Sequence, residues 1–228
     1  MATPQPSALP QLLEDRSDAG RRLAARLEPY RAVHPLVLGI PRGGVPVAFE
    51  IARRLVGELD VLIVRKVGAP GDPEYGLGAV AEGGVVVVDD RRARAAGTSR
   101  EELAPEIARE LAEVEERARR FRGLRPPPVV AGRTVILVDD GVATGGTVEA
   151  GIAVLRAREP KEIVVALGVA PPDALARLRR LATEVVVAVV PRYLEAVGQW
   201  YHRFEPVEDA EVAALLESAR SGARSLAT

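Results

Sequence analysis

The sequence predicts an α/β fold: a largely parallel sheet covered by helices on both faces. Short runs of branched apolar residues recur along the chain, bounded by Gly, Pro or acidic residues, as strands buried on both faces require. Segments with helical spacing stand between them, the alternation that parallel strand crossovers produce. The chain has 228 residues, 47% of them apolar, enough for one sizeable domain with a full core.

Residues 1–13, rich in Pro, Ser and Gln, read as a flexible lead-in, and residues 14–228 as one domain. "SDAGRRLAARLEPY" (17–30) is amphipathic, with Ser17 or Asp18 as N-cap. "PLVLGI" (35–40) reads as a buried strand, and "GVPVAFEIARRLV" as the helix after it, with Pro46 in its first turn. "ELDVLIVRK" (58–66) reads as a second strand. "VGAPGDPEYGLG" (67–78), with its glycines and prolines, reads as a mobile loop. "AVAEGGVVVVDD" (79–90) suggests a hairpin about Gly83-Gly84 and then a strand. A long charged helix over 100–122 reads as a solvated face. Strands at 133–140, 162–170 and 184–190 alternate with helices at 145–158 and 171–181, and a last helix covers 208–220.

Composition narrows the function. A net charge of −1 argues against general nucleic-acid or acidic-membrane binding. With no cysteine there is no disulfide, thiolate catalysis or zinc–thiolate site. "MATPQPSALPQLLEDRS" lacks the basic start and apolar stretch of a signal peptide, and no run of about 18 apolar residues could span a membrane. A cytoplasmic protein is expected. Lys66 and Lys161 are the only lysines in an arginine-dominated chain.

"VILVDDGVATGGT" (135–147) carries the most chemistry. Four branched residues run into Asp139 and Asp140, at the strand end where ligands of open parallel sheets bind. Gly141, Gly145 and Gly146 allow close backbone approach, and the following helix N-terminus offers free N–H donors. Thr144 and Thr147 add hydroxyl donors. The turn suits a phosphate; the carboxylates would repel one and suit hydroxyl donors or a hydrated metal. A ligand with a phosphate at one end and vicinal hydroxyls nearby, a ribose 5-phosphate, satisfies both. A Walker loop and a dinucleotide fingerprint are both absent. A structural turn with an acidic cap is the plain alternative.

This stretch resembles the signature of type I phosphoribosyltransferases that binds 5-phosphoribosyl 1-diphosphate (PRPP). The resemblance implies a three-layer α/β/α fold: a mostly parallel sheet, one antiparallel edge strand, and a small hood from the N-terminal segment and about 191–204. It implies that Asp139 and Asp140 hold the ribose hydroxyls and that Ala143, Thr144, Gly145, Gly146 and Thr147 hold the 5-phosphate. "GIPRGGVPVA" (39–48) is similar to the family's diphosphate loop, with Pro41, Arg42, Gly43 and Gly44 in contact and a cis peptide at Ile40–Pro41 or Pro41–Arg42. Arg65 and Lys66 are expected beside the diphosphate, and 67–78 in place of the family's lid. Catalysis is assigned to Asp139, Asp140, Lys66 and Arg42, with Mg2+ held mainly by PRPP and reached indirectly by the two aspartates.

"PRYLEAVGQWYHRF" (191–204) resembles the base-binding segment of purine-type members, with Tyr193 and Trp200 as stacking candidates beside a Val-Gly pair. Trp200 and Tyr201 as core anchors are the alternative. Glu74 is a further candidate at the base. Hypoxanthine–guanine members carry an aspartate three residues past the acid pair; here that residue is Ala143, so such salvage is disfavoured. Glu74, Glu82 and His202 are weak candidates for a general base. The implied function is Mg-dependent transfer of phosphoribosyl from PRPP to a nitrogenous base in nucleotide salvage, by a homodimer. A PRPP-sensing regulator and a hydrolase of phosphoribosyl compounds are the alternatives.

Overall fold

The computed structural model describes residues 12–225, without the side chains of residues 73, 74 and 223–225. The helices are α1 (Arg16–Arg26), α2 (Gly44–Leu55), α3 (Asp90–Ala95), α4 (Ala104–Arg122), α5 (Gly146–Arg156), α6 (Pro172–Leu178) and α7 (Asp209–Ser225). The strands are β1 (Leu36–Gly39), β2 (Glu58–Val61), β3 (Val64–Ala69), β4 (Asp72–Ala81), β5 (Val85–Val88), β6 (Thr134–Gly141), β7 (Glu162–Val169) and β8 (Glu184–Val189). No helix among the described residues is long and apolar enough to cross a membrane.

Five strands form one parallel sheet in the order β2-β1-β6-β7-β8. Side chains alternate across it. Val37, Ile136, Val138, Val164 and Ala166 enter the core shared with α1, α2 and α7. Leu36, Val135, Leu137, Val165 and Leu167 enter the core under α5 and α6. Every residue of β1 is buried, and so is β7 after Glu162, as the apolar runs require. The predicted three layers are present.

The antiparallel part is a sheet of its own, β3-β4-β5, rather than an edge of the parallel one. Residues 58–66, expected as one strand, divide between the two sheets. Leu62 N–H still donates to Gly39 O at 3.0 Å, and Ile63 then turns the chain into the second sheet. Both residues are buried, each in a different core, so a continuous apolar run conceals the break.

Residues 67–78 are likewise not a loop but most of the β3–β4 hairpin. Gly78 shows why glycine is present: a methyl group there would lie 2.3 Å from Val87 O, so its absence lets β4 and β5 approach. The turn at Gly83 and Gly84, both at positive φ, is where the sequence places it. At the N-terminus, the part of the lead-in before residue 12 lies outside the described residues. Leu13, expected to be loose, is fully buried and bridges to Tyr201. Asp15, not Ser17 or Asp18, caps α1, accepting from Asp18 N–H at 2.8 Å.

Helix α4 is amphipathic rather than merely solvated: it buries Ile107, Val114, Ala118 and Phe121. Its last residue, Arg122, ties the two sheets together. It donates to Asp60 of β2 at 2.7 Å, to Val61 O at 3.1 Å and to both carboxylate oxygens of Glu82 beyond β4. All three charged side chains are at least nine-tenths buried. Burial raises the Asp60 carboxyl against the lowering effect of Arg122. Arg122→Ala would strand two buried acids, with an expected loss of about 3–5 kcal/mol in urea unfolding. Replacing all three by apolar residues of similar volume should cost far less. A loss for Arg122→Ala below about 1 kcal/mol would show that water already reaches the cluster.

Candidate functional site

The site lies at the carboxyl edge of the parallel sheet, where β1 and β6 each run into a helix. Ile40 N–H still donates to Val138 O at 2.9 Å, so the two strand ends stay in register up to the turns. A methyl group on Gly44 would lie 2.6 Å from Val138 O, and one on Gly43 2.0 Å from Asp140 Oδ2. The 39–44 turn therefore rests directly on the acid pair, a contact no side chain at those two positions would permit. The peptide Pro41–Arg42 is cis, one of the two bonds expected. Arg42 is exposed, and its Nη1 is 3.6 Å from Asp209 at the start of α7.

Asp139 and Asp140 are consecutive in β6, so they point to opposite faces of the sheet. Asp140 is 9% exposed and faces α1. Its Oδ2 accepts from Arg16 Nε at 2.8 Å, and its backbone oxygen accepts from Tyr201 Oη at 2.5 Å. Burial pushes the Tyr201 phenol well up, so it stays a donor. Asp139 is partly buried, and its Oδ1 accepts the Asp140 N–H at 2.9 Å. Burial, followed by the Asp140 carboxylate, raises its carboxyl well above the ordinary range.

The turn after the acids leads straight into α5. Gly145, at φ +79, precedes α5, a conformation that branched residues rarely adopt. Ala143, Thr144 and Thr147 are exposed, Gly145 is buried, and Gly146 lies between. Free N–H groups of the first turn of α5 follow at Gly146 and Thr147. Lys66 of β3 reaches this turn: its Nζ is 3.8 Å from where a Cβ on Gly146 would sit. The small sheet thus delivers its lysine to the helix end, although Lys66 is not at a strand terminus as expected. Arg65, its neighbour, faces the other way and forms an ion pair with Glu110 of α4, away from the expected diphosphate contact. A cleft of about 600 Å³ opens beside the turn, between the small sheet, α5 and α6, with Lys66, Arg92, Arg156 and Arg177 among its lining.

Segment 191–204 covers the end of β6. Val197 fills the space above Gly141, where a methyl group would lie 2.4 Å from Val197 Cγ1. Gly198 lies against the Phe204 ring. The N-terminal segment is stitched to this cover: Leu13 N–H donates to Trp200 O, His202 N–H to Leu13 O and Arg203 N–H to Glu14 O, each at 2.9 Å. Tyr193 is 87% exposed, whereas Trp200 packs against the core. Trp200 thus lies against the core, and Tyr193 stands at the surface of this cover. Glu74 lies in β4, with its side chain outside the described residues. Glu82 is committed to Arg122 and is not placed as a general base; His202 is exposed. Among the described residues no group of three or more His, Asp or Glu surrounds a metal position.

Sequence reasoning missed Arg16, Tyr201 Oη and Phe204, which converge on Asp140. Nothing local signals Arg16, because its partner is 124 residues away.

The chain is similar to known proteins in sequence and in fold. A phosphoribosyl transferase domain family matches residues 11–196. Two Mycobacterium tuberculosis proteins, from strains CDC 1551 / Oshkosh and H37Rv, both provisionally named as phosphoribosyl transferases, are each 44% identical over 211 residues. That alignment covers 92% of this chain but 47% of each relative, so the chain spans about half their length. The crystal structure of TT1426 from Thermus thermophilus superposes with a TM-score of 0.85 at 48% identity, covering 91% of this chain and 99% of that one.

The raised Asp139 carboxyl makes a prediction with a definite sign. A group raised above its unfolded value of about 3.9 stabilises the fold fully below that value and loses the contribution as pH rises through the folded one. Asp139→Asn should therefore melt higher than the parent near neutral pH, and the difference should shrink in acid. A lower melting temperature near neutral pH would contradict the burial argument.

Proposed function

The chain belongs to the phosphoribosyl transferase family, and on that premise we propose that it transfers the 5-phosphoribosyl group of PRPP to a nitrogenous base in nucleotide salvage. The observation that carries the proposal is the strand end bearing two carboxylates, flanked by two turns that each open a helix. One carboxylate pair between two anion-accepting turns matches the order of groups on PRPP: phosphate, vicinal hydroxyls, diphosphate.

In this reading the 5-phosphate takes the backbone N–H groups and hydroxyls of 143–147, with Lys66 close by. Asp139 and Asp140 accept hydrogen bonds from the ribose hydroxyls. The diphosphate lies over Pro41 to Gly44, where the Arg42 guanidinium offsets its charge. Two carboxylates, one already bonded to Arg16, fit a magnesium ion carried mainly by the substrate's own oxygens. When bound, that ion neutralises charge on the leaving diphosphate.

The bond from ribose C1 to diphosphate oxygen breaks as the bond from the acceptor nitrogen forms. The acceptor's proton passes to water or to the departing diphosphate. Most of the acceleration then comes from positioning and fixed charge rather than from a protein nucleophile. The segment 191–204 supplies the acceptor side, with Tyr193 exposed to stack on a base. Ala143 offers no carboxylate toward it, which disfavours hypoxanthine and guanine.

Incubation with PRPP, magnesium and a panel of purines, pyrimidines and small amides should release diphosphate only when one acceptor is present. Asp139→Asn should weaken PRPP binding by at least tenfold, about 1.4 kcal/mol. Diphosphate release without any acceptor would point to a hydrolase, and no PRPP binding by the folded protein would refute the proposal.

A further inference from the structure

Arg16 occupies a position that its sequence neighbours do not explain. Its Nε donates to Asp140 Oδ2 at 2.8 Å, and its Nη1 to Glu205 O at 2.8 Å. Its guanidinium carbon stands 3.8 Å from the centre of the Phe204 ring, a cation–π seat that fixes the plane of the group. Phe204 in turn packs on Tyr201, centroids 4.9 Å apart, and Tyr201 Oη holds the Asp140 backbone oxygen. Arg16 and Asp140 side chains are 12% and 13% exposed, so the pair is sheltered and its geometry is not that of a loose surface contact.

The placement divides the Asp140 carboxylate into two unequal halves. Oδ2 is bonded to Arg16 on one side and covered by Gly43 on the other, where a methyl group would lie 2.0 Å away. Oδ1 lies farther from the same point, at 3.1 Å. A carboxylate accepts from several directions, so holding one oxygen leaves the other for a ligand hydroxyl.

We infer that Arg16 is the positioning residue of the acid pair: it holds Asp140 through Oδ2 so that Oδ1 is presented to the substrate's ribose hydroxyl. The inference rests on the phosphoribosyl reading of the site. It makes the N-terminal helix and the segment between β8 and α7, through Glu205 and Phe204, part of the binding machinery. A competing arrangement is that the same ion pair blocks Asp140 and must open before PRPP binds. The two differ in sign, because removing a clamp weakens binding and removing a competitor strengthens it.

The test is calorimetric titration of PRPP with magnesium into the parent protein, Arg16→Gln, Arg16→Lys, Asp140→Asn and Arg16→Gln/Asp140→Asn. Loss of a charged hydrogen bond predicts binding weaker by about tenfold in Arg16→Gln, with partial recovery in Arg16→Lys. In the Asp140→Asn background the same change should cost no more than about twofold, since the carboxylate it serves is gone. Tighter or unchanged binding in Arg16→Gln, or an equal loss in both backgrounds, overturns the inference. If Arg16→Gln does not fold, Phe204→Leu, which removes only the ring beneath the guanidinium, should weaken binding in the same background-dependent way. A ligand-free crystal structure of Arg16→Gln, or of Phe204→Leu in its place, should show the Asp140 carboxylate turned away from Gly43, and an unmoved carboxylate overturns the inference. Should the parent not bind PRPP, the phosphoribosyl reading fails, and that ligand-free structure alone decides whether Arg16 positions Asp140.

Discussion

The close approach of the 39–44 turn to the end of β6 organises the carboxyl edge of the sheet. Gly43 and Gly44 bring the first turn of α2 against Asp140 Oδ2 and Val138 O, distances that forbid a β-carbon. This contact sets two strand-to-helix turns side by side. The turn into α5 directs first-turn N–H groups to this edge, whereas Gly44 and Val45 N–H in the other turn donate to Ile40 O and Arg42 O; the acids of β6 stand between the two turns. Without it, an anion turn and a carboxylate pair would be separate features of neighbouring strands.

The acids are not equivalent, because strand alternation sends them to opposite faces. Asp140 faces the layer of α1 and α7 and is held by Arg16, with Tyr201 on its carbonyl. Asp139 accepts from a backbone N–H, and burial keeps its proton affinity high. A desolvated carboxylate that gains hydroxyl donors from a ligand recovers part of what folding cost it. The Arg122 cluster meanwhile fastens the small sheet that carries Lys66. Two arginines far apart in sequence serve different ends: one joins the sheets, the other fixes an acid.

The sequence discloses those parts whose signal is local. The run 135–147 reads as strand, acids and a glycine turn because each step is set by adjacent residues, and the structure has β6, the two aspartates and a turn into α5 there. The apolar strands of the parallel sheet are legible for the same reason. What stays hidden depends on distant partners. Leu62 and Ile63 look like the middle of a strand, yet they carry the chain between two sheets. The glycines of 67–78 look like mobility, yet Gly78 serves strand pairing against Val87. Arg65 and Lys66 are neighbours in the text but face opposite sides of β3, so one meets Glu110 and the other the helix end. Arg16 carries no motif at all.

If the site works as proposed, one ligand joins both turns and the acids between them. A crystal structure of the protein with PRPP and magnesium tests this directly. It should show the 5-phosphate on the backbone of 144–147, the ribose hydroxyls within hydrogen-bond distance of Asp139 and Asp140, and the diphosphate over 41–44. A PRPP molecule bound with its hydroxyls away from both aspartates, or with its phosphate among Arg92 and Arg156 in the neighbouring cleft, would contradict it.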